Sequence, residues 1–258
     1  MHIAETHKQK LLIEKTILYI SVFLAFVVSV LCFILKTNNG NLIVSDIVVE
    51  SHEGFSYHAR LYKPVSSSST NPLPAAILSF GKGCDRRCGD YIAIALTKKG
   101  FVVLSIEYFG QGKTEYKPNY LTQNSVDAGY LYLSAKSYTD SNRINLAAWT
   151  SAAENALSAK HLSSFSSVVF VNPDEGLLRR IPDYVHVYSA KSGRDDMIAG
   201  TDTISFIETA FAGEESVFRF DAFRPGILLS FHFLQIILLV TIIICAANLV
   251  LDKRRSTI

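Results

Sequence analysis

The chain has 258 residues, 49% of them hydrophobic and 19% charged, with 25 Lys and Arg against 23 Asp and Glu. Soluble domains carry about 25% charged residues, and the mean hydropathy of +0.23 places this chain closer to the membrane. The composition excludes a small disulfide scaffold, a disordered chain and a multi-helix transporter. A net charge of +2 with no long basic stripe excludes nucleic acid as the main partner.

Two stretches hold the apolar surplus: Thr16–Leu35 runs 20 residues without a charge, and Gly226–Leu251 runs 26. About 20 apolar residues cross a hydrocarbon core, so both read as spans. Lys8, Lys10 and Lys15 precede the first, and Lys253, Arg254 and Arg255 follow the second. Basic flanks stay cytoplasmic. The expected organisation is a cytoplasmic tail over 1–15, a transmembrane helix over 16–35, an extracytoplasmic domain over 36–225, a second transmembrane helix over 226–251 and a cytoplasmic tail over 252–258. A cleaved signal peptide is the alternative for the first span. Its apolar run exceeds the usual 7–15 residues of such a peptide, and no small-x-small cleavage site follows it.

Within the domain, Ile43–Glu50 and Phe55–Lys63 alternate apolar and polar residues around His52-Glu53-Gly54, which predicts a hairpin. Short apolar runs follow at Ala75–Phe80, Phe101–Ile106, Arg143–Ala148, Val168–Asn172 and Val185–Ala190, the pattern of strands buried on both faces. Helical stretches separate them at Asp90–Lys99, Ser125–Lys136 and Thr150–His161. Asp174–Pro182 reads as a short connection, Thr201–Phe211 as a further helix and Ser216–Phe223 as a last strand. Strand alternating with helix predicts a mostly parallel sheet flanked by helices.

Several local patterns then resemble the α/β-hydrolase superfamily, over about Ile43 to Asp196. Lys99-Gly-Phe-Val-Val-Leu-Ser-Ile-Glu-Tyr-Phe-Gly-Gln-Gly is similar to the family's strand with a following acid and glycines, with Glu107 replacing the usual Asp. Tyr138-Thr-Asp-Ser-Asn-Arg-Ile-Asn-Leu resembles the lead-in to the nucleophile strand. The resemblance implies an α/β-hydrolase-like fold with one transmembrane helix at each end, similar to bacterial membrane-bound members.

It also implies site positions. The family's G-x-S-x-G elbow falls on Ala148-Trp149-Thr150-Ser151-Ala152, so the nucleophile position is Thr150, with Ser151 adjacent. Both glycines are alanine. A β-branched residue at the strained elbow conformation costs about 1–3 kcal/mol. The oxyanion loop corresponds to Phe80-Gly81-Lys82-Gly83, without the histidine that often opens it, and the acid to Asp195 in Ser192-Gly-Arg-Asp-Asp. No histidine stands where the base belongs. His52, His58, His161 and His186 sit elsewhere in the pattern, and the only later one, His232, is inside the second apolar stretch. A triad lacking a member keeps only about 10³–10⁴-fold catalysis over water.

The expectation is therefore a hydrolase-like domain that has lost hydrolysis and serves as an extracytoplasmic scaffold. The alternatives are an esterase, thioesterase or peptidase using Thr150 or Ser151, and a binding module with an apolar cleft beside Phe80, Trp149 and Tyr108. Cys84 and Cys88 fit either a short-loop disulfide or two thiols, and no cofactor or metal is expected. His232 and Gln235, three residues apart on one helical face, are candidate contacts with membrane lipid headgroups, with the first span through Ser21 or Ser29, or with another membrane-protein subunit.

Overall fold

A computed structural model of the chain describes residues 2–37, 40–108, 110–114, 124–189, 201–212 and 234–248. They divide into two units, one of 1–39 with 224–258 and the other of 40–223.

In the first unit, helix α1 (His2–Thr37) is one continuous helix of 36 residues. The segment read as a tail before Thr16 is thus its first turns. Lys15–Ile34 is long and apolar enough to cross a membrane, by length and composition alone, and among the described residues no other helix is. Phe23, Phe26 and Phe33 point outward. The C-terminal apolar helix is described over Leu234–Asn248, about 22 Å at 1.5 Å per residue, and the rest of 226–251 lies outside the described residues. Val28, Cys32 and Leu238 pack together between the two helices.

The second unit is built on a seven-stranded sheet. Its elements are β1 (Leu42–Glu50), β2 (Ser56–Pro64), β3 (Leu73–Ser79), α2 (Asp90–Lys98), β4 (Val102–Ile106), α3 (Ser125–Ser134), β5 (Thr139–Trp149), α4 (Ser151–Leu157), β6 (Ser167–Val171), α5 (Glu175–Leu178), β7 (Val185–Tyr188) and α6 (Thr201–Ala212). The sheet order is β1-β2-β4-β3-β5-β6-β7. β2 runs antiparallel to both neighbours, and the other four pairings are parallel. The predicted hairpin is present, paired from Leu42↔Pro64 to Glu50↔Ser56. Gly54 takes a positive φ of 79° to close its turn, a conformation glycine adopts without strain.

The apolar runs are strands because helices cover both faces, and side chains alternate between those faces. One set, including Ile77, Leu104, Leu146, Ala148 and Phe170, packs with Val126 and Leu133 of α3 and Ala152 and Ala156 of α4. The other, including Ala76, Leu78, Val103, Ala147, Trp149 and Val169, packs with Ile92 and Leu96 of α2 and Ile204 and Ile207 of α6. Some boundaries differ from those expected. β5 begins four residues before Arg143, with Thr139 opposite Leu73, and its register with β3 shifts between Leu73 and Ala75. α4 stops at Leu157, where the Ser158 hydroxyl donates to the Asn155 carbonyl at 2.7 Å and competes with the helical ladder. The connection Asp174–Pro182 contains the single turn α5. The strand expected at Ser216–Phe223 lies outside the described residues.

Candidate functional site

β3 and β5 are adjacent, parallel and in register, with Ser79 opposite Ala148. Their C-terminal ends therefore bring the Phe80–Gly83 loop against the turn after Trp149. That turn is an elbow: Thr150 has φ 48° and ψ −121°, and Ser151 begins α4. The Thr150 backbone N–H donates to the Val171 carbonyl at 3.0 Å, and the Thr150 carbonyl accepts from the Ala153 N–H at 3.0 Å. Of the two candidates in the motif, Thr150 is the one at the strained position.

The opposing loop approaches so closely that only glycine fits. A Cβ on Gly81 would stand 2.3 Å from Thr150 Oγ1, 2.6 Å from Ser151 Oγ and 3.1 Å from the Ser151 backbone nitrogen. The next amide, Lys82 N–H, donates to Ser151 Oγ at 3.0 Å. In this architecture the amide after the nucleophile and an amide of the β3–α2 loop form the oxyanion hole. Here the Ser151 hydroxyl occupies the Lys82 donor. Gly83 N–H donates to Gln111 Oε1 at 2.8 Å, which ties the loop to the segment after β4.

The strain at Thr150 is measurable. A β-branched residue at this φ costs about 1–3 kcal/mol, and glycine there gives back about 0.5–1 kcal/mol in chain entropy. Thr150→Gly is expected to raise the unfolding free energy by about 1 kcal/mol in urea titrations; a loss of that size would mean that side-chain contacts of Thr150 outweigh its strain.

No histidine nitrogen hydrogen-bonds Thr150 or Ser151 among the described residues. His52 is exposed in the hairpin turn, His58 lies on β2 and His186 on β7. His161 follows α4, and its Nδ1 lies 2.8 Å from Asp127 Oδ1. Asp127 also accepts the backbone N–H groups of Lys160 and His161, at 3.0 and 2.9 Å. Tyr130 stacks on the ring at 5.1 Å. This pair lines a cleft with Ser51, His52, Glu53 and Asn124. The candidate acid Asp195 and the membrane candidate His232 lie outside the described residues. Gln235 Nε2 donates to Ser29 Oγ at 3.1 Å.

The three aromatic residues named for an apolar cleft, Phe80, Trp149 and Tyr108, are divided between the two faces of the sheet. Phe80 and Trp149 are buried and stacked with centroids 4.4 Å apart, so their facing surfaces fill the space between them. Tyr108 packs on the opposite face of the sheet. Cys84 and Cys88 are both thiols, and the hydrogen bond with Cys84, followed by burial, pushes the Cys88 thiol up.

A charged chain below the loop has no local sequence signal. Arg86, 6% exposed, donates Nη1 to Glu107 Oε1 at 2.7 Å and Nη2 to Asp46 Oδ2 at 3.0 Å. Arg60 Nε donates to Asp46 Oδ1 at 2.7 Å, and Arg60 Nη1 reaches Asp90 Oδ2 at 3.2 Å. Tyr62 donates its hydroxyl to Asp90. Glu107 Oε2 also accepts from the amides of Lys113 and Thr114, at 2.7 and 3.0 Å, and from the Thr114 hydroxyl at 3.1 Å. Hydrogen bonds from Arg60 and then Arg86 hold the Asp46 carboxyl far below the usual range. A Cβ on Gly112, at φ +57°, would fall 2.2 Å from Glu107 Oε1, so that glycine is required by both conformation and space. Glu107 thus acts as a strut for the segment after β4, whereas the resemblance suggested only a substituted family acid.

No family model and no curated protein matches the chain. Solved structures overlap it in part. A hypothetical protein from Pseudomonas aeruginosa is 14% identical with a TM-score of 0.45, covering 74% of this chain and 62% of that one. The esterase Est22 is 17% identical with a TM-score of 0.42, covering 60% and 49%. Dipeptidyl peptidase 4 from Porphyromonas gingivalis is 17% identical with a TM-score of 0.41, covering 50% and 20%. The chain therefore spans less than two thirds of the length of each. The fold assignment rests on the molecule itself: a mostly parallel sheet with β2 reversed, β3 and β4 exchanged in order, and a positive-φ elbow after the fifth strand facing a glycine loop after the third. The 40–223 unit has the α/β-hydrolase fold.

Proposed function

We propose that this is a membrane-anchored α/β-hydrolase-fold protein whose 40–223 unit binds other membrane-protein subunits instead of hydrolysing a substrate. One observation carries the reading: the oxyanion-loop amide of Lys82 is satisfied by Ser151 Oγ beside a threonine at the nucleophile position. A donor already bonded to the protein must be released before it stabilises a developing oxyanion, which removes the preorganisation on which such sites depend. Thr150 also lacks a hydrogen-bonded histidine base among the described residues, and the reading calls for no cofactor.

The anchoring part rests on Lys15–Ile34 and on the basic residues outside both apolar stretches, which favour two spans, cytoplasmic termini and an extracytoplasmic domain. The hydrogen bond from Gln235 to Ser29 is the kind of interhelical contact that fixes two spans against each other, at about 0.6–2 kcal/mol.

The strained elbow favours a second reading, an esterase, thioesterase or peptidase with Thr150 as nucleophile, because strain of this kind persists where a reaction uses it. Hydrolysis of short nitrophenyl esters separates the two. The purified chain and a Thr150→Ala, Ser151→Ala double variant are expected to turn over at the same background rate. A native rate that the double variant abolishes would establish the second reading. Purification in mild detergent is expected to retain a stoichiometric membrane-protein partner; a monodisperse single chain would contradict the scaffold role.

A further inference from the structure

We propose that Cys84 and Cys88 form a redox modification site, a dithiol that closes to a disulfide within the loop carrying the Lys82 amide. Both residues stand in the Gly81–Gly89 connection between β3 and α2, and each ends a tight turn: Cys84 N–H donates to the Gly81 carbonyl at 3.2 Å, and Cys88 N–H to the Asp85 carbonyl at 3.1 Å. These turns bring the two thiols into mutual hydrogen-bond contact. Closure brings the two sulfurs to a bond length of about 2.05 Å. Among the described residues no cluster of three metal-ligating side chains exists to claim the pair instead.

The two thiols differ in access. Cys84 is 7% exposed, whereas Cys88 is half-buried. Cys88 is therefore the sulfur that an incoming reagent reaches, and Cys84 is the resolving thiol behind it. The oxidant is a low-molecular-weight disulfide. The Cys88 thiolate attacks one of its sulfurs, forming a mixed disulfide and expelling one thiolate, which takes up a proton. The Cys84 thiolate then attacks Cys88 Sγ, expelling the second thiolate. The protein loses two protons and two electrons, and the reagent leaves as two thiols. The hydrogen bond with Cys84, and then burial, favours the Cys88 thiol over its thiolate, which slows the first step without changing the balance.

Closure acts on the site because the loop is anchored on both sides. Lys82 N–H and Gly83 N–H bond outward at 3.0 and 2.8 Å, and Arg86, between the cysteines, bonds Asp46 and Glu107. Phe80 leads into the loop and stacks on Trp149, the single tryptophan of the chain. This inference holds whether or not the site hydrolyses esters.

The full chain in mild detergent is equilibrated in glutathione buffers of stepped reduced-to-oxidised ratio, quenched in acid, alkylated and mapped by mass. Cys84 and Cys88 are expected to lose alkylation together in one transition, with loss of two hydrogens and a change in Trp149 emission. In Cys84→Ser, Cys88 is expected to retain glutathione, because no resolving thiol remains; Cys88→Ser is expected to leave Cys84 alkylated throughout. Full alkylation of both cysteines at every ratio, or stable glutathione on each in the native chain, would overturn the pairing. An oxidation that leaves Trp149 emission unchanged would overturn its link to the site.

Discussion

Arg86→Met is expected to lower the unfolding free energy by about 3–5 kcal/mol, because it leaves Glu107 buried and without its cation. The Glu107 side chain is 0% exposed and the Arg86 side chain 7%. The three remaining donors to Glu107 are two amides and a hydroxyl, which do not neutralise its charge. The loss is read from urea titrations in detergent, and a change below about 1 kcal/mol would contradict the burial argument. A pH series adds a sign. Asp46 is held below its ordinary value of 3.8 by Arg60 and then Arg86. Its contribution is therefore complete above pH 3.8 and is lost as the pH falls through the depressed value. The variant, with one of those cations removed, is expected to show a shallower loss of stability in acid. Glu107→Gln combined with Arg86→Met is expected to recover part of the loss, since the uncompensated charge goes with it.

Trp149→Ala is expected to cost about 3–5 kcal/mol, the usual range for truncating a large buried aromatic. Trp149 is 2% exposed and ends β5 immediately before the elbow. It is packed with Val169 and Val171 on one side of the sheet and stacked on Phe80. The stacking itself adds about 0.5–1.5 kcal/mol beyond area. The cavity would open under the loop: Phe80 is itself clamped, since a Cβ on Gly89 would fall 2.3 Å from its ring. Thermal unfolding of the variant checks this. A cost below about 1 kcal/mol would mean that the site collapses freely, and that Phe80 and Trp149 do not form the floor described above.

Much of this architecture was legible in the residues. Runs such as Phe101–Ile106 and Val168–Asn172 are apolar throughout because helices cover both faces, and that pattern separates central strands from the half-exposed β1. The elbow was legible as well, since Arg143-Ile-Asn-Leu fixes the position of Thr150 in the turn, where it takes φ 48°. The blocked amide was not. It depends on a backbone N–H of Lys82 and a hydroxyl 69 residues away, and no side-chain pattern encodes such a meeting. The Arg86–Glu107 pair is similarly silent, because its partners lie 21 residues apart in unrelated segments. The family acid substituted at Glu107 was visible, but its longer side chain gains meaning only once Gly112 is seen folded against it. The division of the three aromatic residues was not legible either: Phe80 and Trp149 stack on one side of the sheet, while Tyr108 belongs to the other.

The central proposal is that the fold is kept while the nucleophile chemistry is lost. Its most direct test is covalent labelling of the intact chain with a fluorophosphonate, a reagent that requires an activated hydroxyl and a working oxyanion hole. The account predicts no adduct at Thr150 or Ser151 after mass mapping, in the native chain and equally in Thr150→Ser, where a serine stands at the elbow but Ser151 still holds the Lys82 amide. A stoichiometric adduct on Thr150 or Ser151 of the native chain would contradict it.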